Sequence, residues 1–182
     1  LARFAADDAR GGGVHGGPGM AQSFHHSILP LASLNDRRTE ILHGFGGDID
    51  NWLFNLDAVA AVAPVIALDL PAHGQSGVQL PGAATLADLA AFVLHFLDAI
   101  DVERVHVVGH SMGGAEIVRH LSRDGGRVAR VVLVGATLPF LLKSADNPEG
   151  IGRGYFDAWR TALATDFPKW LVDNEAPFWV PA

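Results

Sequence analysis

The sequence contains no cysteine among its 182 residues. This absence excludes disulfide bonds, thiolate-bound metals and a cysteine nucleophile. No apolar run approaches the roughly 20 residues that a membrane-spanning helix requires. The N-terminus has no basic segment followed by an apolar one, so no signal peptide is predicted. We therefore expect a cytoplasmic protein with no membrane partner.

Basic residues are few, with 13 Lys and Arg against 20 Asp and Glu, which gives a formal net charge of −7. A negative domain without basic runs repels phosphate backbones, so no nucleic acid partner is expected. Hydrophobic residues make up 49% of the chain and charged residues 18%. That balance is typical of a compact globular enzyme, and the length suffices for one domain with a full core.

Three stretches differ in pattern. Residues 1–38 contain glycine clusters and no sustained period, so poor organisation is predicted there. A short strand over residues 28–34 would be confined to a sheet edge by Pro30. Residues 39–137 alternate β-branched apolar runs with helical spacing, which predicts a mainly parallel sheet covered by helices. Residues 138–182 form the third stretch.

Local signals set the expected elements of the middle stretch. Thr85 and Asp88 have the spacing of a capping box before an amphipathic helix. The chain starts without Met and stops without a clear element, so we expect a piece of a longer protein. The predicted strands cover residues 40–42, 64–70, 105–108 and 128–134, and the predicted helices cover residues 52–62, 86–100 and 111–123.

The motif with the most chemical meaning is Gly-His-Ser-Met-Gly-Gly at residues 109–114. It directly follows a predicted strand and opens a predicted helix, which is the context that a G-x-S-x-G nucleophile turn requires. Glycines let the strand and helix backbones approach closely, and the helix N-terminus favours an oxyanion. We interpret Ser111 as a nucleophile; the alternative is a chance match in a glycine-rich chain.

A second motif, His-Gly-Phe-Gly-Gly-Asp at residues 43–48, follows an earlier predicted strand. We expect the backbone amides of Met112 and Phe45 to form an oxyanion hole, and the His43 side chain to bond local backbone. A rival loop at residues 15–19 lacks a preceding strand and is interpreted as structural. Asp69, His73 and Ser76 are likewise interpreted as turn residues.

These motifs, with Leu-Asp-Leu-Pro-Ala-His-Gly-Gln-Ser at residues 68–76 between them, resemble the α/β-hydrolase superfamily from about Thr39 onward. The first two thirds are most similar to the hydrolase-type domain of acetoin dehydrogenase acyltransferase components. Residues 138–150 resemble the cofactor-free haloperoxidase and esterase branch, where they open a cap. The resemblance implies a three-layer α/β sandwich that is truncated in or after the cap, with a cap helix over residues 156–163.

The resemblance also implies a triad of serine, acid and histidine in that order along the chain. The acid and histidine are predicted to be absent from this chain, because no strand–Asp–loop–His pattern follows Ser111. His110 and His120 are expected to point away from the serine hydroxyl. The carboxylates downstream of Ser111 end no obvious core strand; they belong to Asp146, Asp157, Asp166 and Asp173.

The expected function is hydrolysis of small carboxylic esters through an acyl-enzyme on Ser111. Acyl transfer and perhydrolysis on the same serine are alternatives, and a catalytically incomplete fragment or binding module is an alternative of another class. Phe45 and Trp159 are candidate contacts for a small ester or acyl substrate. No cofactor and no metal are predicted, and the oligomeric state is left open.

Overall fold

The computed structural model describes residues 3–5, 25–29, 38–76, 85–138 and 140–174. The chain divides into two compact units, Leu1–Leu138 and Pro139–Ala182. The rival loop at residues 15–19 lies outside the described residues. The first unit contains the sheet and the motifs discussed above.

Within the described residues, the sheet of the first unit has six strands in the order β1-β2-β4-β3-β5-β6. Strand β3 pairs in parallel with β4 and β5, and β5 pairs in parallel with β6. Strand β2 runs antiparallel to both β1 and β4. The predicted α/β fold with a mainly parallel sheet is thereby confirmed. The strands are β1 Arg3–Ala5, β2 His25–Leu29, β3 Arg38–Leu42, β4 Val65–Leu68, β5 Val105–His110 and β6 Val128–Val134.

The prediction of an edge strand over residues 28–34 was wrong in the place of the strand. Strand β2 covers His25–Leu29, and residues 30–34 lie outside the described residues. It lies between β1 and β4 and not at an edge.

Helices cover both faces of the central strands. One face carries the larger apolar cluster, in which Leu42, Ile66 and Val107 meet Phe96 and Ile117. The other face carries a smaller cluster around Ile41 and Leu56. No helix in the described ranges is long and apolar enough to cross a membrane. The helices are α1 Leu53–Ala60, α2 Leu86–Ala99, α3 Met112–Asp124, α4 Arg153–Thr165 and α5 Phe167–Asp173, and a short 3-10 helix covers Ile49–Trp52.

The last strand of the sheet begins and ends where its apolar sequence predicts, at Val128 and Val134. Among the strands that the structure describes, it pairs with β5 alone. Its apolar side chains are not buried, and Val132 retains 52% of its accessible surface. The side chains of this strand therefore do not alternate between buried and exposed.

The capping box predicted before α2 is confirmed. The Thr85 side chain accepts a hydrogen bond from the Asp88 amide, and the Asp88 carboxylate accepts one from the Thr85 amide at 2.9 Å. Two helix-start donors are satisfied in this way, at a point where a helix has no internal partners for them.

Replacing Thr85 with alanine is expected to lower the free energy of unfolding by about 1 kcal/mol, because α2 loses its cap. Urea unfolding followed by circular dichroism measures the change. Ser122→Ala removes a hydroxyl that bonds only the Arg119 carbonyl on the exposed face of α3, and it serves as the control with an expected change near zero. Equal losses in the two variants would contradict a capping role for Thr85.

Candidate active site

Ser111 stands at the junction between β5 and α3, in a backbone conformation that is strained for a side chain. Its φ is +53° and its ψ is −116°. A non-glycine residue adopts positive φ only where the surroundings enforce it, and such residues cluster at functional sites. Here the Ser111 amide donates to the Val134 carbonyl at 3.0 Å, and the Ser111 carbonyl accepts from the Gly114 amide at 3.1 Å. The turn is thus held from β6 and from within α3.

Two glycines of the motif are required by close backbone approach. A Cβ on Gly113 would lie 2.7 Å from the His43 carbonyl oxygen and 2.8 Å from that of Leu42. A Cβ on Gly109 would lie 2.5 Å from Ile117 Cδ1 and 2.7 Å from the Gly113 carbonyl. Because these neighbours are mostly backbone, α3 can start this close to β3 and β5 only with glycine at both positions.

The loop after β3 lies directly beside Ser111. A Cβ on Gly44 would meet the Ser111 Cβ at 3.0 Å, so the two segments touch. Phe45 follows Gly44 and keeps an exposed side chain. Met112 is the first residue of α3, where a backbone amide has no partner within the helix. The structure therefore brings the predicted nucleophile, the start of α3 and the loop that contains Phe45 into one place.

His43 is buried and bonds backbone on both sides of its ring. Its Nε2 accepts from the Leu70 amide at 3.0 Å, which requires Nδ1 to carry the proton and donate to the Gly44 carbonyl at 2.8 Å. Burial is the largest cause of a lowered pKa for this histidine. A neutral ring with both nitrogens engaged has the structural role expected for it and no proton to exchange with Ser111.

Asp69 joins the loop after β3 to the loop after β4. Its carboxylate accepts from the Ile49 amide and from the Gln75 amide, each at 2.8 Å. The side chain is 1% exposed. Gly74 approaches so closely that a Cβ there would overlap the carboxylate. Asp69 is therefore a structural anchor for the loop beside Ser111, a larger role than its interpretation as a turn residue.

Within the described part of the chain, the Ser111 hydroxyl makes no hydrogen bond. The exposed His110 ring packs edge-on against Trp52, with ring centroids 6.4 Å apart. His120 is buried nine residues along α3, which is about 13 Å from the start of the helix. Neither imidazole is arranged to take the serine proton.

The four aspartates that follow Ser111 in the sequence analysis belong to the second unit. Three of them have local roles. Asp157 pairs with Arg160, Asp166 caps α5, and Asp173 pairs with Lys169. Asp146 is exposed. These contacts are the ordinary ones of helix surfaces and helix starts.

Trp159, a candidate substrate contact, also belongs to the second unit. Its ring packs edge-on against Trp170 at 5.1 Å and tilts against Tyr155 at 5.5 Å. These rings line a groove of about 430 Å³ between α4 and α5. The described ranges hold no group of three or more metal-ligating side chains.

Sequence reasoning missed two buried carboxyl groups behind the site. Glu40 in β3 and Glu116 in α3 have no accessible surface. The available signal was Glu40 itself, which directly precedes the apolar Ile41 and Leu42 in a central strand. Glutamate is almost never fully buried without a partner, so its presence there marks an unusual environment.

A family model described as the alpha/beta hydrolase fold matches residues 41–176. This match covers well over half of the chain, so the chain belongs to the α/β-hydrolase fold family. The non-heme haloperoxidase of Rhodococcus erythropolis is 39% identical over 143 residues, which are 75% of this chain and 51% of that protein. The predicted membership of the superfamily is confirmed.

The names of other similar proteins include an activity other than that of the haloperoxidase. The dihydrolipoyllysine-residue acetyltransferase component of the acetoin cleaving system of Cupriavidus necator is 55% identical over 117 residues, 64% of this chain and 30% of that protein. A bromoperoxidase from Bacillus anthracis superposes with a TM-score of 0.73 at 25% identity, over 82% of this chain and 54% of that one. The chain thus spans about half the length of the haloperoxidases and under a third of the acetyltransferase component.

Proposed function

We propose that the protein is a serine hydrolase of small carboxylic esters, with Ser111 as the nucleophile. The observation that carries this proposal is the strained positive φ of Ser111 at the start of α3, beside the loop after β3. Strain of this kind persists only where the fold enforces it, and it lifts the serine side chain clear of the sheet. The haloperoxidase relative supports an enzymatic role for this chain's fold.

The proposed reaction has two steps. The Ser111 Oγ attacks the ester carbonyl, the C–O bond to the alcohol breaks, and the alcohol leaves with the serine proton. Water then attacks the acyl-enzyme, releases the carboxylic acid and returns a proton to Ser111. In both steps, negative charge develops on the former carbonyl oxygen. The amides of Met112 and Phe45 would donate to that oxygen, aided by the positive end of the α3 dipole.

The base that accepts the serine proton is proposed to lie outside this chain, consistent with the unbonded Ser111 hydroxyl in the described part. Without a base, a serine hydroxyl is a weak nucleophile, and loss of triad members removes orders of magnitude in rate. We therefore expect slow acylation by the isolated chain, accelerated when imidazole is added to the buffer as a substitute base.

The test uses a fluorophosphonate probe and p-nitrophenyl acetate with the purified chain. We expect one probe adduct per chain, found on the peptide that contains Ser111, and its complete loss in Ser111→Ala. Ser122→Ala, an exposed serine on the same helix, is the matched control and should label like the unchanged protein. Because imidazole itself cleaves the ester, Ser111→Ala also supplies the blank rate.

Absence of labelling with and without imidazole, in a chain that circular dichroism shows to be folded, would refute a nucleophilic Ser111. That result would favour the binding-module alternative. Labelling that persists in Ser111→Ala would place the nucleophile elsewhere.

Acyl transfer is the second candidate, favoured by the 55% identity to an acetyltransferase component. The acyl-enzyme is common to both candidates, and only the acceptor differs. A thiol would give a thioester, water gives the acid, and hydrogen peroxide would give a peracid, the perhydrolysis alternative. Supplying the three acceptors to the acetylated chain and quantifying the products separates the candidates. Hydrolysis predicts that added thiol or peroxide does not change the rate of deacylation.

A further inference from the structure

Two carboxyl groups are enclosed in the core of the first unit. Glu40 lies in the middle of β3 and Glu116 in the first turns of α3, and both are 0% exposed. None of their four carboxyl oxygens has a hydrogen-bond partner in the described part of the chain. Burial of an ionised carboxylate without a partner is so unfavourable that the group takes up a proton instead.

The two side chains are neighbours. Side chains alternate along a strand, so Glu40 shares the face of Leu42, which belongs to the larger apolar cluster. Glu40 is in register with Ile66 and Val107, two other members of that cluster. Glu116 is buried at the start of the helix that packs on this face, and its pKa is raised mainly by burial and further by the charge of Glu40. The pair is therefore within electrostatic range.

The other groups that face the pair offer little compensation. Arg127 favours the charged form of Glu40, but its guanidinium already donates to Asp98 at 2.6 Å. His120 is the other buried titratable group of α3, one turn beyond Glu116 and on the same side of the helix. From the two neighbouring strands and α2, the facing side chains are apolar; they include Ile66, Val107 and Phe96.

We propose that Glu40 and Glu116 form a pair of protonated carboxyl groups between α3 and β3. We further propose that the packing of α3 on β3 weakens in alkaline solution, when the pair loses its protons. Strand β3 ends at Leu42, immediately before the loop beside Ser111, and α3 begins immediately after Ser111. Protonated carboxyl groups carry no charge and can stay packed in the apolar core, whereas two carboxylates there lose hydration and repel each other. The distance between the end of β3 and the start of α3, on either side of Ser111, therefore depends on pH. This inference holds whether or not Ser111 is a nucleophile.

The direction of the pH effect follows from proton linkage. Burial raises the pKa of Glu40 from 4.5 to about 8. Between these values the folded protein holds a proton that the unfolded chain has lost, so the free energy of unfolding falls as pH rises. The contribution is fully present below pH 4.5 and is lost as the pH approaches 8. The raised pKa of Glu116 acts in the same direction.

The first test is urea unfolding of the full chain from about pH 5 to about pH 9, the window in which linkage acts. The unfolding midpoint should fall with rising pH in the unchanged protein. In Glu40→Gln and in Glu116→Gln this fall should be substantially smaller, because glutamine has the same shape and does not ionise. Glu103→Gln, an exposed glutamate near the start of β5, is the control and should keep the full slope. An unchanged slope in both core variants would overturn the proposal.

A second measurement needs no variant. Infrared spectroscopy distinguishes the carbonyl of a protonated carboxylic acid from an ionised carboxylate. At pH 7 exposed Asp and Glu side chains are ionised, so we expect a residual protonated-acid band from the buried pair. The band should weaken as the pH is raised through about 8, where Glu40 loses its proton. Absence of any such band at pH 7 in the folded protein would overturn the proposal, even if neither core variant folds.

Discussion

Gly113→Ala is expected to destabilise the protein by about 3 kcal/mol or more, a large effect for one added methyl group. The new Cβ would lie 2.7 Å from the His43 carbonyl oxygen and 2.8 Å from that of Leu42. Both atoms are backbone at the end of β3, so no rotamer change relieves the contact. Alanine's better helix propensity returns at most about 1 kcal/mol, and the steric cost prevails.

The measurement is urea unfolding, with Gly125→Ala as the matched control at the other end of α3. Gly125 has φ −66° and ψ −17°, angles that alanine adopts freely. A Cβ there would meet only the Leu121 carbonyl, at 3.1 Å. The control should change the free energy of unfolding by less than about 1 kcal/mol. If Gly113→Ala is as stable as the control, the close approach of α3 to β3 is not as described.

Asp69→Ala is expected to cost about 2–4 kcal/mol, since it leaves the buried Ile49 amide and the part-buried Gln75 amide without their acceptor. The amides of Ile49 and Gln75 point at the carboxylate from different loops, and the removed atoms leave space enclosed by both. The loop beside Ser111 loses its tie to β4. We therefore also expect slower probe labelling of Ser111 in this variant, at temperatures where it remains folded.

Two further variants make the Asp69 result specific. Asp57→Ala removes an exposed carboxylate from α1 and should change the free energy of unfolding by no more than about 0.5 kcal/mol. Asp69→Asn keeps one acceptor oxygen and turns an NH₂ group toward the second amide, so its stability should fall between those of the unchanged protein and the alanine variant. If Asp69→Asn has the same free energy of unfolding as the unchanged protein, one acceptor is enough, and the proposed anchoring of two loops by Asp69 is contradicted.

The parts of the fold that sequence could predict are those set by local signals. The Thr85 and Asp88 spacing determines a helix start within four residues, and the structure contains that cap. The strand–glycine–serine–glycine–helix order around Ser111 is equally local, because it depends on which residues tolerate a tight turn. The alternation of apolar runs with helical periods likewise predicted the mainly parallel sheet.

The parts that could not be predicted depend on contacts between distant segments. The place of β2 inside the sheet follows from pairing with β4, some 40 residues later, which no local pattern encodes. The burial of Glu40 contradicts residue preference and depends on how α3 packs over β3. The anchoring by Asp69 combines a carboxylate from one loop with an amide from another, so its sequence neighbours alone suggested an ordinary turn.

The candidate site also combines features that local sequence predicts with features that depend on distant segments. The immediate neighbours of Ser111 predict a nucleophile, and that role stays a proposal; the structure contains the strand, the tight turn and the helix that the prediction requires. The contact of the loop after β3 with the serine was expected from motif order and is visible in the close approach of Gly44. A general base is a long-range feature of this kind of fold, and the local patterns after Ser111 carry no signal for one.

The glycine contacts around Ser111 also determine how this protein would respond to random mutation. Gly44, Gly109 and Gly113 are each blocked by atoms from other segments of the unit. His110 is exposed and has room for other side chains, whereas the half-buried Met112 packs against the larger apolar cluster and has room for other apolar ones. A library that varies residues 109–114 should therefore yield folded members that differ at the second and fourth positions and retain the first and fifth. A change in substrate specificity would therefore require substitutions at residues around Ser111, while the glycines of the turn stay unchanged.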